Sequence, residues 1–233
     1  MRQHAAQDDG VAQSESVDRP PVRIRRMGLQ DLPDVVAAHR QHFPDGFFAR
    51  LGPRFLGRYY RTFLDGPLAV ALIVEMSGVP SGYLVGVLDP VQHRRLLLTY
   101  HGVALAVCGL LGLTRRPRVL ARFLVTRSRR YLNALRRSRD LATDTVNVPR
   151  LAVLSHVVVA ENARGHGLGT LLVDAFLAQA REAGRERACL VTITGPEGAG
   201  AFYAKSGWSH TRDATGVDGR RLSYFERELP ETE

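Results

Sequence analysis

The sequence has 233 residues, 45% hydrophobic side chains and a formal net charge of +9. This length suits one mid-sized domain with an insertion or tail, and the hydrophobic content argues against a disordered chain. The two cysteines, Cys108 and Cys189, have no metal-like or redox-like spacing. They argue against a disulfide scaffold, a zinc site and a thioredoxin-type centre, and they favour a reducing compartment such as the cytoplasm.

The N-terminal residues and one internal segment differ in composition from the rest. Residues 1–20 are polar and contain no apolar run, so we expect a disordered leader followed by a folded domain over residues 21–233. Residues 90–147 hold twelve arginines against two acidic residues, a net charge of +10 that accounts for the whole excess of the chain. The basic character therefore belongs to one segment and not to the domain as a whole.

The first part of the chain predicts a strand, two helices and a hairpin. Residues 22–26 alternate as in a strand. An amphipathic helix follows Asp31, and a second helix begins at Pro53, whose fixed φ suits a first helical turn. Residues 69–74 and 82–88 are apolar runs on either side of a glycine-containing turn, which indicates a β-hairpin.

The basic segment over residues 90–147 is predicted to be a helical insertion between the third and fourth strands. Residues 96–113 are mostly apolar and of helical length, and a second amphipathic helix begins at Pro117. Three interpretations stay open: a helical cap on the domain, a helix lying in a membrane interface, and a membrane span. The arginines over residues 94–139 could face anionic lipid, an acidic substrate, nucleic acid or only water.

The remainder of the chain predicts alternating strands and helices. Residues 151–159 form an apolar, β-branched run typical of a strand buried on both faces. A glycine-rich turn then leads into an amphipathic helix that begins at Leu168 and ends at Gly184. The last predicted elements are a strand over 188–193, a helix over 197–206, a strand from 207 and a strand over 222–229. This order predicts a mixed α/β fold with a central twisted sheet flanked by helices.

The turn after residues 151–159 points to anion binding. Arg164, Gly165, Gly167 and Gly169 lie between the predicted strand and helix. Glycines let consecutive backbone N–H groups converge on one anion, and the helix adds its positive N-terminal end. The spacing G-x-G-x-G fits neither the Rossmann pattern nor the P-loop. The alternative is a tight turn whose glycines only permit close packing.

Together with a second motif, this turn resembles the GNAT superfamily of N-acetyltransferases. The family's loop pattern Q/R-x-x-G-x-G/A is met by residues 164–169, and its second pattern, A-x-x-F-Y-x-K-x-G-F/W, is met by residues 199–208. The element order over 22–89 and 150–230 is also similar to that of the family. The resemblance implies the GNAT fold, with the helical insertion as an addition to it.

The resemblance also implies a cofactor site, with acetyl-CoA or another short acyl-CoA as co-substrate and no metal. The turn would hold the pyrophosphate, and the backbone of the preceding strand would bind the pantetheine arm as an added strand does. By position, the candidate cofactor-binding residues are Val157, Val158, Val159, Arg164, Gly165, His166, Gly167, Leu168, Gly169 and Thr170. An asparagine that often stands three residues before Ala199 in the family is replaced here by Pro196, so its contact to the cofactor arm is not expected.

The reaction implied by the resemblance is direct attack of an amine on the thioester carbonyl, which needs an acid for the leaving thiolate. Tyr203 matches the family's general acid position, and a tyrosine suits the role because its pKa lies near that of an alkyl thiol. The alternative is a packed aromatic residue whose hydroxyl only reaches the ligand's edge.

The general base is not identified by the sequence. Where relatives place a base on the strand over 151–159, the position falls on Val153 or Ser155, and Ser155 could only position a water molecule. Strand parity places 153, 155, 157 and 159 on one face and His156 on the other, which favours a core role for His156. Glu75 and Asp89 are candidates that no motif supports.

These observations predict an acyl-CoA-dependent N-acetyltransferase that acts on an amine of a small molecule or peptide. The alternative is a peripheral membrane or polyanion-binding protein that uses the arginine-rich insertion on the same scaffold. No recognised nucleic-acid motif accompanies the arginines, so specific nucleic-acid binding is not expected. A cytoplasmic location is expected, with peripheral membrane attachment as the variant.

Overall fold

The computed structural model describes residues 20–114, 150–196, 198–216 and 219–230. The predicted leader up to residue 19, the predicted helix from Pro117 and the predicted helix start at Glu197 lie outside these residues. Element numbers below count the described elements only.

The part of the chain before the gap in the description holds three strands and five helices. They are β1 (Val22–Arg26), α1 (Leu32–His42), α2 (Phe47–Arg50), α3 (Pro53–Arg61), β2 (Ala69–Met76), β3 (Val79–Val87), α4 (Pro90–Leu96) and α5 (Gly102–Thr114), with a π-helical stretch over Leu97–His101 between the last two. The part after the gap holds β4 (Leu151–Val159), α6 (Leu168–Glu182), β5 (Arg187–Ile193), α7 (Gly200–Lys205), β6 (Ser209–Thr215) and β7 (Arg221–Glu228).

Seven strands form one mixed sheet in the order β1-β2-β3-β4-β5-β7-β6. The neighbouring strands are antiparallel except β4 and β5, which are parallel. Helices cover both faces, as a sheet with apolar residues on both sides requires. The predicted mixed α/β fold, with helices of the insertion between β3 and β4, is therefore confirmed.

Each face of the sheet packs against its own helices. On one face, α6 buries Leu172 and Phe176 completely against β2, β3 and β4. Helix α6 approaches β3 so closely that a Cβ added to Gly86 of β3 would lie 2.4 Å from the Phe176 ring. On the other face, α1 and α3 pack on β2 and β3, with Leu56 and Tyr60 fully buried. Burial of such side chains contributes about 1.5–3 kcal/mol each.

The described part of the insertion lies on α3. Leu105 of α5 is buried against Phe55, and Cys108 packs on the same cluster. Within the described ranges, we find no helix whose length and apolar character would let it cross a membrane.

Some boundaries differ from the sequence expectation. The short helix α2 was not predicted, because a single turn bounded by Gly46 and Gly52 leaves no room for a helical repeat of apolar residues. β6 begins at Ser209 and not at Gly207, which has a φ of +77° and therefore closes the preceding turn.

Candidate functional site

The parallel strands β4 and β5 pair only at one end and then separate. Their ladder joins Leu151–Val153 to Arg187–Cys189 and goes no further. We call the space between residues 154–159 of β4 and residues 190–193 of β5 the strand gap. A cavity of about 350 Å³, here named the gap cavity, opens there and is lined by β4, β5, α7 and the end of α1.

The backbone of β4 offers hydrogen-bonding groups to the strand gap. The Ala160 N–H donates to the Ser81 carbonyl, which places Ala160 and the alternate residue Val158 with their polar groups towards β3. Val157 and Val159 consequently turn their N–H and C=O groups the other way, into the gap. A ligand with amide groups could pair with them as an added strand does.

The Val158 side chain packs in the α1–α3 core and faces away from α6. Its role near a cofactor is therefore limited to the backbone, whereas the side chains of Val157 and Val159 lie on the α6 side.

The glycine-rich turn has the geometry of an anion site. Gly165 and Gly167 have φ values of +82° and +77°, the left-handed region that glycine occupies without strain. The N–H groups of residues 165–170 donate to no acceptor in the described part of the chain. They point outward at the N-terminus of α6, where the helix dipole also favours negative charge.

Two side chains of the turn are held by its own backbone. The Arg164 Nε donates to the Val159 carbonyl at 3.4 Å, and the His166 Nδ1 lies 3.1 Å from the Arg164 carbonyl. Both side chains are exposed beside the free N–H groups.

The remaining residues of the turn differ in what they contribute. Leu168 is a core residue of α6, exposed by only 1%. A Cβ at Gly169 would lie 3.4 Å from the Phe202 ring, so the packing interpretation fits this third glycine. Thr170 stands in the first turn of α6 and contributes one of the free N–H groups.

Tyr203 of α7 lines the gap cavity. Its ring is buried and packs edge-on against Phe202 and Trp208. Burial raises the pKa of Tyr203 to about 12. The hydroxyl is thus protonated at neutral pH, as an acid must be. Its pKa is further above the pKa of a cysteine thiol, about 8.5, than the ordinary pKa of a tyrosine is.

A β-bulge in β4 changes the faces that strand parity predicts. Val85 of β3 pairs with His156 and the next residue, Gly86, pairs with Leu154, so Ser155 is the extra residue of the bulge. Leu154 and Val157 consequently pack on the same face, towards α6. The expectation that 153, 155, 157 and 159 share one face is therefore wrong across the bulge, although His156 does lie on the face opposite Val157. Ser155 and His156 both line the gap cavity.

His156 belongs to a buried group of histidine and tyrosine side chains that the sequence did not reveal. Its ring lies 5.0 Å from the His39 ring of α1 and 6.0 Å from the Tyr60 ring of α3. His39 Nδ1 is 2.7 Å from the Tyr60 hydroxyl, which is 2.9 Å from the Tyr83 hydroxyl. The signal in the sequence is a histidine at the last position of the apolar stripe of α1, where a buried polar group needs a partner.

Burial keeps both histidines neutral at physiological pH. It lowers the pKa of His39 to about 4 and the pKa of His156 to about 3, because an imidazolium loses its hydration there. The same burial raises the pKa values of Tyr60 and Tyr83 above their ordinary range.

Glu75 and Asp89, the two base candidates that no motif supports, form hydrogen bonds outside the gap cavity. Glu75 accepts a hydrogen bond from the Arg25 Nε at 2.6 Å. Asp89 accepts the Gln92 N–H at 2.9 Å and so caps α4. Neither lines the gap cavity. In the described ranges, no group of three or more His, Cys, Asp or Glu side chains is arranged to hold a metal.

Comparison with known proteins finds one matching family model and solved structures that share the fold. The model of the acetyltransferase (GNAT) family matches residues 121–208. No curated protein matches the sequence.

Solved structures with the same fold include Ard1 from Thermoplasma volcanium, with 16% identity, a TM-score of 0.55, and coverage of 90% of this chain and 99% of that one. The ribosomal-protein-S18-alanine N-acetyltransferase from Escherichia coli has 11% identity, a TM-score of 0.50 and coverage of 91% and 97%. The NatC complex bound to Gag peptide and CoA has 12% identity, a TM-score of 0.52 and coverage of 90% and 99%.

Proposed function

The chain carries a GNAT acetyltransferase domain, and we propose that it transfers an acetyl or other short acyl group from coenzyme A to an amine. The observation that carries this proposal is the junction of the strand gap with the glycine turn. Backbone groups of β4 that pair with no strand run towards the free N–H groups of residues 165–170, and Tyr203 lines the gap cavity. Acetyl-CoA would place its pyrophosphate at the turn, its pantetheine arm along the strand gap and its thioester beside Tyr203.

In this proposal the cofactor is held mainly by backbone. Val157 and Val159 pair with the amides of the pantetheine arm, and the N–H groups of Gly165 to Thr170 hold the pyrophosphate. Arg164 and His166 add side-chain contacts from the exposed rim of the turn. Backbone binding orients the thioester without depending on particular side chains, which leaves the α1–α2 side of the gap cavity for the acceptor.

The chemistry requires two proton movements. The amine nitrogen attacks the carbonyl carbon, the C–S bond breaks, and Tyr203 gives its hydroxyl proton to the leaving sulfur. Ser155, at the bulge, lines the same cavity and positions a water molecule there. Substrate binding in this partly closed space places the nitrogen against the carbonyl, which contributes to the rate independently of any acid or base.

The acceptor is an amine of a small molecule or a peptide. An acceptor that enters the gap cavity meets aromatic rings from the loop after α1 and from α2, since Phe43, Phe47 and Phe48 line its wall. Such a wall favours an acceptor with an apolar or aromatic body next to its amine.

Release of free thiol from acetyl-CoA tests the function. We expect release to require both the protein and an amine from a panel of amino sugars, polyamines, arylalkylamines and peptides, with a matching acetylated product by mass spectrometry. The same protein without amine reports background hydrolysis. Failure of every amine class together with the absence of acetyl-CoA binding would contradict the proposal.

Peripheral attachment to an anionic membrane is a second candidate, favoured by the outer face of α5 and of the π-helical stretch before it. Tyr100, Val103 and Val107 are between 51% and 80% exposed and follow a helical spacing, with the exposed Arg94 and Arg95 one or more turns earlier. An apolar helical face beside basic residues binds such surfaces through buried area and charge.

Vesicle sedimentation tests this candidate. Vesicles containing anionic lipid should bind the wild-type protein in low salt and release it in high salt, and Val103→Glu should abolish the binding. Val79→Glu, which replaces an exposed valine at the start of β3, is the matched control. Equal binding of the two variants, or none by the wild type, would rule out this surface.

A further inference from the structure

Three buried side chains and the partly exposed His156 lie between the gap cavity and a second cavity. His39 and His156 line the gap cavity, and the hydrogen bonds from His39 to Tyr60 and from Tyr60 to Tyr83 lead away from it. Tyr83 lines a separate cavity of about 360 Å³ between α1 and the sheet, here named the α1 cavity. Exposed fractions of 2% for His39, 0% for Tyr60 and 3% for Tyr83 show that this connection runs through the protein interior.

Acidic side chains stand at the far end of the connection. Three acidic residues of the α1 cavity, Asp31, Asp34 and Glu161, stand around its wall. The pKa of Asp31 is held below its usual range by hydrogen bonding from Arg25, so this carboxyl stays ionised. Negative charge at this end favours the arrival of a proton there.

The near end has hydrogen-bonding capacity that the protein does not use. His39 Nε2 and His156 Nδ1 are shielded from solvent, and neither has a hydrogen-bond partner among the described residues. A buried polar atom without a hydrogen-bond partner is destabilising. Two such atoms on adjacent rings beside the acceptor space indicate a place where the substrate amine, or water attached to it, completes the hydrogen bonding.

We propose that His156, His39, Tyr60 and Tyr83 form a proton relay that moves the proton lost by the attacking amine from the gap cavity to the α1 cavity. The inference rests on the proposed function, because acyl transfer to an amine is what releases this proton.

The steps balance as follows. The N–C bond forms and the C–S bond breaks while the Tyr203 proton goes to sulfur. Bonding to carbon makes one of the nitrogen's protons acidic, and a water molecule beside His156 carries it to His39 Nε2, because no hydrogen bond joins the two histidine rings. His39 then gives its Nδ1 proton to the Tyr60 oxygen, Tyr60 gives its own to Tyr83, and Tyr83 gives its own to water in the α1 cavity. Solvent reprotonates Tyr203. Rotation of the two tyrosine hydroxyls, together with a flip of the His39 ring that returns a protonated nitrogen to the Tyr60 side, restores the starting state.

Neutral histidines suit this task. A cation held permanently in the gap cavity would repel the incoming ammonium, which loses its first proton to solvent before it attacks, whereas a neutral ring accepts the second proton only after the nitrogen has bonded to carbon. His42, which also lines both cavities, and Tyr59, whose ring lies 6.0 Å from His156, are the other titratable groups packed around the pair. Neither joins the hydrogen bonds that link His39, Tyr60 and Tyr83.

Removal of one hydroxyl tests the relay with the full-length protein. Tyr60→Phe and Tyr83→Phe each break the chain while keeping the ring. We expect kcat to fall about 10- to 100-fold, the lower part of the range for proton-transfer groups, with KM for both substrates nearly unchanged. We also expect kcat of these variants to rise with buffer concentration, since a dissolved base must then remove the proton through the cavity mouth, whereas wild-type kcat does not depend on buffer.

Thr62→Val is the matched control. It removes another buried hydroxyl at the end of α3, one that donates to the Tyr59 carbonyl at 2.7 Å and lies outside the chain. It should leave kcat and its buffer dependence as in the wild type. A purely structural role for the tyrosines would lower the melting temperature without buffer dependence, and that outcome overturns the relay. Wild-type protein that transfers no acyl group at all would instead contradict the proposed function.

Discussion

Replacing Gly167 with valine is expected to abolish the thermal stabilisation that acetyl-CoA gives the wild-type protein. A ligand at about 100 times its Kd adds about 2.7 kcal/mol to the native state, which for a chain of this size corresponds to roughly 5–10 °C in Tm. Gly167 has a φ of +77° at the start of α6, and a Cβ added there meets no protein atom within 4 Å. The valine side chain would instead fill the open space beside the free N–H groups, where the pyrophosphate must approach.

Gly184→Val separates loss of the site from backbone strain. Gly184 ends the same helix with a φ of +68°, and a Cβ there also meets nothing within 4 Å. Both valines should cost about 1–2 kcal/mol of stability, since a branched residue is strained at positive φ. Only Gly167→Val should lose the shift with acetyl-CoA. A cofactor shift preserved in Gly167→Val, or lost equally in both variants, would remove this turn from the cofactor site.

The parts of the fold that follow from local chemistry could be predicted from the sequence. The turn at Gly165 and Gly167 requires positive φ, and only glycine adopts it freely, so the residues mark the turn directly. Similarly, Pro53 marks the first turn of α3, and Gly184 marks the end of α6. In each case a single residue restricts the backbone conformation, so the turn or helix end can be located without knowledge of any distant contact.

The bulge in β4 could not be predicted in this way. Ser155 is extra only in relation to β3, where Val85 and Gly86 are consecutive but pair with His156 and Leu154. The register of two strands that are distant in sequence decides which face each residue takes, and the single strand carries no mark of it. The rule that alternate residues of a strand share one face therefore fails at Ser155, which lines the gap cavity.

The histidine–tyrosine group was hidden for a related reason. His39 occupies a stripe position of α1, Tyr60 and Tyr83 belong to apolar patterns of their own elements, and each alone is an ordinary core residue. Only the packing of α1 and α3 on the sheet brings their polar atoms within 3 Å of one another. The signal in the sequence was a polar atom at a position where the pattern calls for an apolar side chain. The partners of these atoms could not be identified, because the hydrogen-bonded residues are 21 and 23 positions apart along the chain.

Replacing Tyr203 with phenylalanine is expected to lower kcat by about 100-fold or more while leaving the Kd for acetyl-CoA unchanged. General acids typically contribute factors of about 10²–10⁴, and the proton is needed only as the thiolate leaves, so ground-state binding is unaffected. The ring contacts with Phe202 and Trp208 remain in the variant. Tyr224→Phe, on β7 with Arg212 over its ring, removes a tyrosine hydroxyl outside the gap cavity and serves as the control.

The alkaline side of the pH profile tests the same role. Because burial raises the pKa of Tyr203 to about 12, the acid form persists as pH rises from neutral to about pH 10. A fall of kcat within that range must then come from another group and should also appear in the residual activity of Tyr203→Phe. A fall that the variant lacks would show instead that the bound cofactor lowers the pKa of Tyr203 towards that of the thiol. If kcat is the same in Tyr203→Phe and the wild type, Tyr203 only packs against the ligand, and the leaving sulfur takes its proton from solvent.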